Sequence, residues 1–255
     1  MTDLPVPEED LADVLTQGLW ARIMSQPATK VRPRKAATLI LLDRSGPDVR
    51  VLMGKRHGGH AFMPGVFVFP GGGVEPGDRQ MAIAGALDPI TEAKLMACLD
   101  RPSPGGARAL ALAAIRETFE ETGLALGVGD YGVPENPPAG GWTSFAAQGV
   151  YPNLEDLHFI ARAITPPRLK KRFDAFFFAA DASGVAARLE GVVGEASELV
   201  ELVWVTIAEA QDLGTPLITN VVLKELATRL EKGMSRFLPV PIYRTGRKGW
   251  LRLEA

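Results

Sequence analysis

The run Arg116-Glu117-Thr118-Phe119-Glu120-Glu121-Thr122-Gly123-Leu124 constrains this chain more than any other stretch. On an α-helix, Glu117, Glu120 and Glu121 stand at i, i+3 and i+4 and share one face. At about 100° per residue, Leu112, Ile115 and Phe119 cluster roughly opposite. Such a helix needs a core on one side and tolerates a charged site on the other. The Ala-rich lead-in from Ala107 to Ile115 favours the helix, and Gly123 suits a left-handed C-cap that ends it. Arg116 precedes Glu120 by four residues and can pair with its carboxylate. Clustered glutamates are usually just a solvated face. Three crowded carboxylates nevertheless repel one another unless a cation lies among them. A hard divalent ion, Mg²⁺ or Mn²⁺, suits oxygen ligands and implies a substrate with anionic oxygens, most plausibly phosphate.

A second segment, Met63 to Asp78, reads as a short apolar strand running into a glycine turn. Phe67, Val68 and Phe69 suit a buried strand. Pro70 with Gly71, Gly72 and Gly73 stops it and allows backbone conformations closed to other residues. Bare backbone there can approach an ion or a phosphate closely.

Together the two segments resemble the Nudix hydrolase motif, G-x5-E-x7-R-E-U-x-E-E-x-G-U with U aliphatic. Arg116 to Leu124 fits nearly residue by residue, with Thr118 in place of an aliphatic residue. Gly72 to Asp78 fits the first half, with Asp78 where Glu is usual. The spacing departs most: Arg79 to Ile115, 37 residues, stands where the motif has seven. About thirty residues are therefore inserted, which loop-closure entropy tolerates because it grows slowly with length. The insertion, at about 79–106, contains a plausible helix from Ile90 to Leu99 and a Pro/Gly loop from Pro102 to Gly106. A split motif after Phe-Met-Pro-Gly and Phe-Pro-Gly-Gly looks like the branch that includes acyl-CoA diphosphatases. The resemblance covers roughly residues 35 to 210.

The resemblance implies a Mg²⁺- or Mn²⁺-dependent diphosphatase. Glu117, Glu120 and Glu121 would hold the ion, helped by the Gly71 carbonyl, and Arg116 would orient the acids. A bound cation screens phosphate charge and lowers the pKa of coordinated water, and a carboxylate can take the proton of the attacking water. Glu117 is one candidate base. Of the downstream acids Glu195, Glu198 and Glu201, Glu198 is preferred, against the plain alternative of an exposed strand edge. Lys55-Arg56-His57 ends a strand ahead of the glycine segment and can reach phosphates. Arg168, Lys170, Lys171 and Arg172 can grip a nucleotide or a 3′-phosphate through charge-assisted bonds, or be a solvated basic loop. The implied substrate is coenzyme A or an acyl-CoA. ADP-ribose, NADH or a nucleotide sugar is the alternative, and a Nudix fold kept as a ligand-binding regulator without turnover is a third reading. A homodimer is compatible with any of these.

Composition narrows the class. The chain has 255 residues, 46% hydrophobic and 23% charged, with net charge −2, so neither nucleic acid nor a membrane surface is favoured as a partner. No apolar run approaches the roughly twenty residues of a membrane span. The early acids are unlike a signal peptide, which together with a single cysteine, Cys98, reads as a cytoplasmic protein. Cys98 suits small apolar filler. His57, His60 and His158 have no metal-ligand spacing.

Residues 1–34 are expected to form an amphipathic helix (Glu8 to Met24) and a linker, and 35–255 one domain with a C-terminal helix. Strands are expected over Ala36–Leu42, Val49–Lys55, Val66–Phe69, His158–Ile164, Phe173–Ala180 and Glu198–Trp204. The first two are joined by a turn at Asp43–Pro47. Gly127–Gly141 reads as a loop. Helices are expected over Trp142–Gly149, Ile207–Leu213 and Pro216–Lys232, and Phe176 to Phe178 as core. Strands, a helix, more strands and a helix describe an α+β chain, an α/β/α sandwich with a mixed sheet between helices.

Overall fold

A computed structural model describes residues 31–59, 64–245 and 250–255, together with Leu4, Pro5, Ser25 and Pro27. The expected helix from Glu8 to Met24 lies outside the described residues, as do His60 and Met63. Twelve strands and five helices are described. The strands are β1 (Leu4–Pro5), β2 (Arg34–Asp43), β3 (Arg50–Arg56), β4 (Phe67–Val68), β5 (Gly71–Gly73), β6 (Leu124–Leu126), β7 (His158–Ile164), β8 (Phe173–Asp181), β9 (Val185–Arg188), β10 (Leu199–Thr206), β11 (Pro241–Thr245) and β12 (Trp250–Glu254). The helices are α1 (Pro89–Ala97), α2 (Pro104–Thr122), α3 (Gly141–Ala146), α4 (Ile207–Asp212) and α5 (Leu217–Glu231).

The main sheet runs β1-β12-β11-β7-β8-β2-β3-β10, and β6 pairs with β9 apart from it. It is mixed: β2 lies parallel to β8 over its length, from Arg34 opposite Phe173 to Leu42 opposite Asp181, while β7 is antiparallel to β8. Alternation along the strands builds two apolar layers. Ala37, Leu39 and Leu41 join Phe176 and Phe178 beneath α2, with Leu95 and Cys98 from the inserted segment. Ile40, Leu42 and Phe177 face the other way, onto Val222, Leu223 and Leu226 of α5. The expected α/β/α sandwich is therefore the observed one. The three phenylalanines are core, and Cys98 is buried with its thiol pushed up by that burial.

The site depends on how β2 is shared. β3 pairs with β2 only at Leu42 and Asp43, then splays away. β5 takes the vacated edge, antiparallel to Ala36–Thr38. The backbone N–H of Leu39 donates to the Pro70 carbonyl at 3.2 Å and closes the junction. Gly71–Gly73 is thus a strand and not the expected turn. None of the three has a positive φ, so backbone freedom is not why they are glycines. Close approach accounts for two of them: a Cβ on Gly71 would lie 2.6 Å from the Ala37 carbonyl oxygen and 2.8 Å from the Thr38 Cα, and one on Gly72 2.5 Å from the Glu117 Cδ, whereas at Gly73 the nearest atom is 4.0 Å away.

Several expected boundaries move. The strand at 66–69 shrinks to two paired residues. The loop expected at Pro102–Gly106 is mostly helix: Ser103 caps α2 by accepting from the Gly106 N–H at 3.1 Å, and Pro104 fills the first position, where no N–H is needed. The helix expected at 142–149 ends at Ala146. Beyond α5 the chain returns as β11 and β12, which pattern reading did not find. The other end of α2 is as expected, with Gly123 in the left-handed region at φ 78°. Among the described residues, no helix is long and apolar enough to cross a membrane.

Candidate active site

The acidic face of α2 is largely covered, with Glu120 alone exposed. Arg116 is 1% exposed and Glu121 7%, because β5, the turn at Pro76–Arg79 and α3 pack over them. Burial of an arginine requires its N–H groups to be satisfied, and here all five have acceptors. Nε donates to Asp78 Oδ1 at 2.8 Å, and Nη2 to Asp78 Oδ2 at 3.2 Å and to the Gly73 carbonyl at 2.8 Å. Nη1 donates to Glu117 Oε1 at 3.0 Å and to Glu120 Oε2 at 3.1 Å. Burial opposes the guanidinium charge, but Asp78 and the two glutamates outweigh it and hold its pKa above the ordinary value.

Asp78, wholly buried, is the anchor of this network. Its Oδ1 also accepts from the Trp142 indole N–H at 2.9 Å, and its Oδ2 from the Glu75 N–H at 2.7 Å. A carboxylate shorter than glutamate thus bridges the turn, α2 and α3. Thr118, the other departure from the motif, is buried with its hydroxyl donated to the Ala114 carbonyl at 2.8 Å, so it leaves no unpaired group.

Glu121 and Glu117 meet the glycine strand at different points, and Glu120 does not meet it. Glu121 Oε2 accepts from the Gly71 N–H at 3.2 Å. The Glu117 carboxylate lies against Gly72, where a Cβ would fall 2.5 Å from its Cδ. Glu120 turns toward Gly141 at the start of α3, where a Cβ would fall 1.5 Å from Oε1. Burial is the largest influence on each and raises all three pKa values: Glu117 to about 7, Glu120 upward, and Glu121 well above the ordinary range with Glu198 and Glu117 adding to the effect. Among the described residues, no three carboxylate, imidazole or thiol groups converge closely enough to cradle an ion. The donor chemistry still fits a hard cation, since the groups along this face are carboxylate oxygens in surroundings that penalise their charge.

These shifts set the sign of a pH effect. A carboxyl whose folded pKa exceeds its unfolded one binds a proton preferentially in the native state, so stability falls as pH rises between the two values. For Glu117 that window runs from 4.5 to about 7. The metal-free protein should lose on the order of 3 kcal/mol across it from this group alone. Denaturant melts in a chelator at pH 4.5 and pH 7.5 measure the change, and Mg²⁺ should restore part of the loss at the higher pH.

The remaining candidates separate. Glu198 is brought to the site: its carboxylate lies 3.8 Å from Arg56 Nη2, it is half-exposed, and it is the nearest electrostatic influence on Glu121 after burial. The His57 N–H holds the Glu198 carbonyl at 2.9 Å, which ties this residue to the end of β3. Glu201 instead pairs with Lys55 at 3.6 Å on an exposed edge, and Glu195 is exposed. Arg172 holds its own loop, donating to the Thr165 carbonyl from Nε at 3.2 Å and to the Val31 carbonyl from Nη1 at 2.6 Å. Arg168 lies in the same loop between β7 and β8. Trp142 was missed. The signal that could have found it is chemical: a buried Asp78 needs a donor beyond Arg116.

No protein-family profile and no curated protein matches this chain. Among solved structures it is similar to a NUDIX hydrolase from Alicyclobacillus acidocaldarius, 28% identical, with a TM-score of 0.57 over 77% of this chain and 91% of that one. The chain has the Nudix fold. Fainter likenesses join it to the NUDIX domain of Shewanella oneidensis NrtR complexed with ADP ribose (11% identity, TM-score 0.43, 82% of this chain and 97% of that one). The MutT protein from Methanosarcina mazei Go1 is comparable (14%, 0.44, 80% and 99%). These two are too slight to carry an argument. Within the Nudix fold, the contacts described above put α2 and β5 together despite the 37 residues between Asp78 and Arg116.

Proposed function

We propose that this protein is a Mg²⁺- or Mn²⁺-dependent diphosphohydrolase of the Nudix type that cleaves the diphosphate linkage of coenzyme A or an acyl-CoA. The observation that carries this reading is the saturated Arg116 guanidinium, which holds Glu117 against the glycine strand and Glu120 toward Gly141, while Glu121 docks on the same strand. Glu117, Glu120 and Glu121, with the Gly71 carbonyl, would hold the ion. A bound cation would screen the phosphate charge and acidify a coordinated water. Arg116 Nη1 takes only one oxygen from each, Glu117 Oε1 and Glu120 Oε2, and leaves each carboxylate a second oxygen.

The chain's own groups supply the rest. Glu198 reaches solvent at the edge of the site and is assigned the proton of the attacking water, with Arg56 orienting it. Glu117, the other candidate, has Oε1 engaged by Arg116 and sits deeper. Arg56 is the better placed cation for substrate phosphate. The Arg172 guanidinium already serves carbonyl oxygens, so the basic loop contributes Arg168 at most.

Glu120→Gln should lower turnover by about 100-fold or more while leaving the fold intact, because the amide can neither bind the ion as strongly nor accept from Arg116 as an anion. With Mg²⁺ or Mn²⁺, coenzyme A should yield 3′,5′-ADP and 4′-phosphopantetheine. A panel of coenzyme A, ADP-ribose, NADH and nucleotide sugars checks this. ADP-ribose far ahead of coenzyme A would replace the substrate assignment. Tight binding of any of them with no turnover would replace the enzyme by a ligand-binding regulator.

A further inference from the structure

Away from the carboxylates, α1, the start of β7, the end of α5 and the segment before β11 enclose a small cavity of about 10 Å³, room for one water-sized occupant. Its lining includes Lys94, Arg229 and Arg236, together with His158, Thr91 and Ser235, and no carboxylate. Arg229 is 5% exposed. The Nε atoms of Arg229 and Arg236 are both buried without a hydrogen-bond partner. Buried N–H donors are rarely left so, and a charged one costs more than a neutral one. Other donors of the three residues are engaged by carbonyl oxygens: Lys94 Nζ by Arg236 at 2.7 Å and Leu238 at 2.5 Å, Arg229 Nη2 by Pro239 at 2.5 Å, and Arg236 Nη2 by Glu155 at 2.6 Å.

The charge balance is lopsided. Asp88 approaches Arg236 Nε only to 3.8 Å, from outside the cavity, and Glu225 acts on Arg229 from its other side. Burial and then Arg229 lower the Lys94 pKa. Burial and then Arg236, Arg229 and Arg44 push His158 down to about 4, so it stays neutral at pH 7. Three cations converge on a space whose lining offers two Nε donors without hydrogen-bond partners and no carboxylate, the Asp88 ion pair with Arg236 lying in the outer cleft. A water can accept from both Nε atoms but leaves the charge uncompensated.

We propose that this cavity binds a small monovalent anion of the halide class, held by Arg229, Arg236 and Lys94. Its size excludes phosphate and carboxylates. The wider cleft of about 580 Å³ outside, lined by Asp88, Asp156 and Asp181 with Arg44, shares His158, Ser235 and Arg236 with it. The ion would pin α1, in the inserted segment, to the chain between α5 and β11. The proposal is independent of the diphosphatase reading.

The test uses full-length protein freed of halide by exchange into sodium gluconate. Chloride or bromide added at constant ionic strength should raise the melting temperature saturably by about 2–4 °C. Crystals soaked in sodium bromide should show an anomalous peak between Arg229 and Arg236. Arg236→Met, at the rim and partly exposed, should fold and lose both effects. A cavity without a bromide peak, or a linear salt effect that Arg236→Met shares, overturns the proposal and leaves a trapped water as the occupant.

Discussion

Glu121→Gln should abolish turnover and, in the absence of metal, make the protein more stable. The two effects have one cause. Glu121 is buried, receives a single hydrogen bond from the Gly71 N–H, and faces Glu198 and Glu117. Burial and these neighbours favour its neutral form, so an amide of the same shape fits the metal-free site better than an ionised carboxylate. Because burial and the neighbouring acids raise the folded pKa, the gain should grow as pH rises and be larger at pH 8 than at pH 5. Loss of a buried oxygen donor should lower turnover by about 100-fold or more. Thermal melts in a chelator at the two pH values, paired with steady-state assays, read both effects. A variant that loses stability at pH 8 would show that Glu121 serves the fold and not a site.

Arg116→Met should be the most destabilising single change in the molecule. Truncation leaves Asp78 fully buried with only the Trp142 indole and the Glu75 N–H as donors, and it releases Glu117 and Glu120. Breaking a buried ion pair from one side costs about 3–5 kcal/mol. Arg116→Lys should recover little, since one ammonium cannot make the forked bonds to Asp78 while reaching both glutamates. Adding Asp78→Asn to Arg116→Met should cost less than the two singles combined, because the uncompensated charge is then gone. Urea unfolding of the three variants and the double variant measures the coupling. Additive losses would mean that Asp78 and Arg116 do not act as a pair.

The parts of the site that lie close in sequence were legible. The spacing of Glu117, Glu120 and Glu121, the pairing of Arg116 with Glu120 and the left-handed end at Gly123 all follow from helix geometry over nine residues. So did the layered sheet, because β2 and β8 carry apolar side chains on both faces. What failed depended on distant partners. Gly71–Gly73 reads as a turn by composition, yet β2 offers it an open edge once β3 splays away, and pairing overrides the local preference. Pro104 and two glycines read as loop until Ser103 is recognised as a cap. The bond from Trp142 to Asp78 spans 64 residues, and no local pattern announces it. β11 and β12 lie among prolines and charged residues; their partners are each other, β7 and β1.

The central claim is that Glu117, Glu120 and Glu121 take up a divalent cation against the glycine strand. Isothermal titration of Mn²⁺ into the wild-type protein and into Glu121→Gln, in two buffers of different ionisation enthalpy at pH 7, tests it most directly. Binding should release protons from the wild type, because burial raises the Glu117 pKa to about 7 and lifts that of Glu121 well above the ordinary carboxylate value before the ion arrives. It should also weaken by at least about 10-fold in the variant. Equal affinity in both proteins, with no proton released, would contradict it.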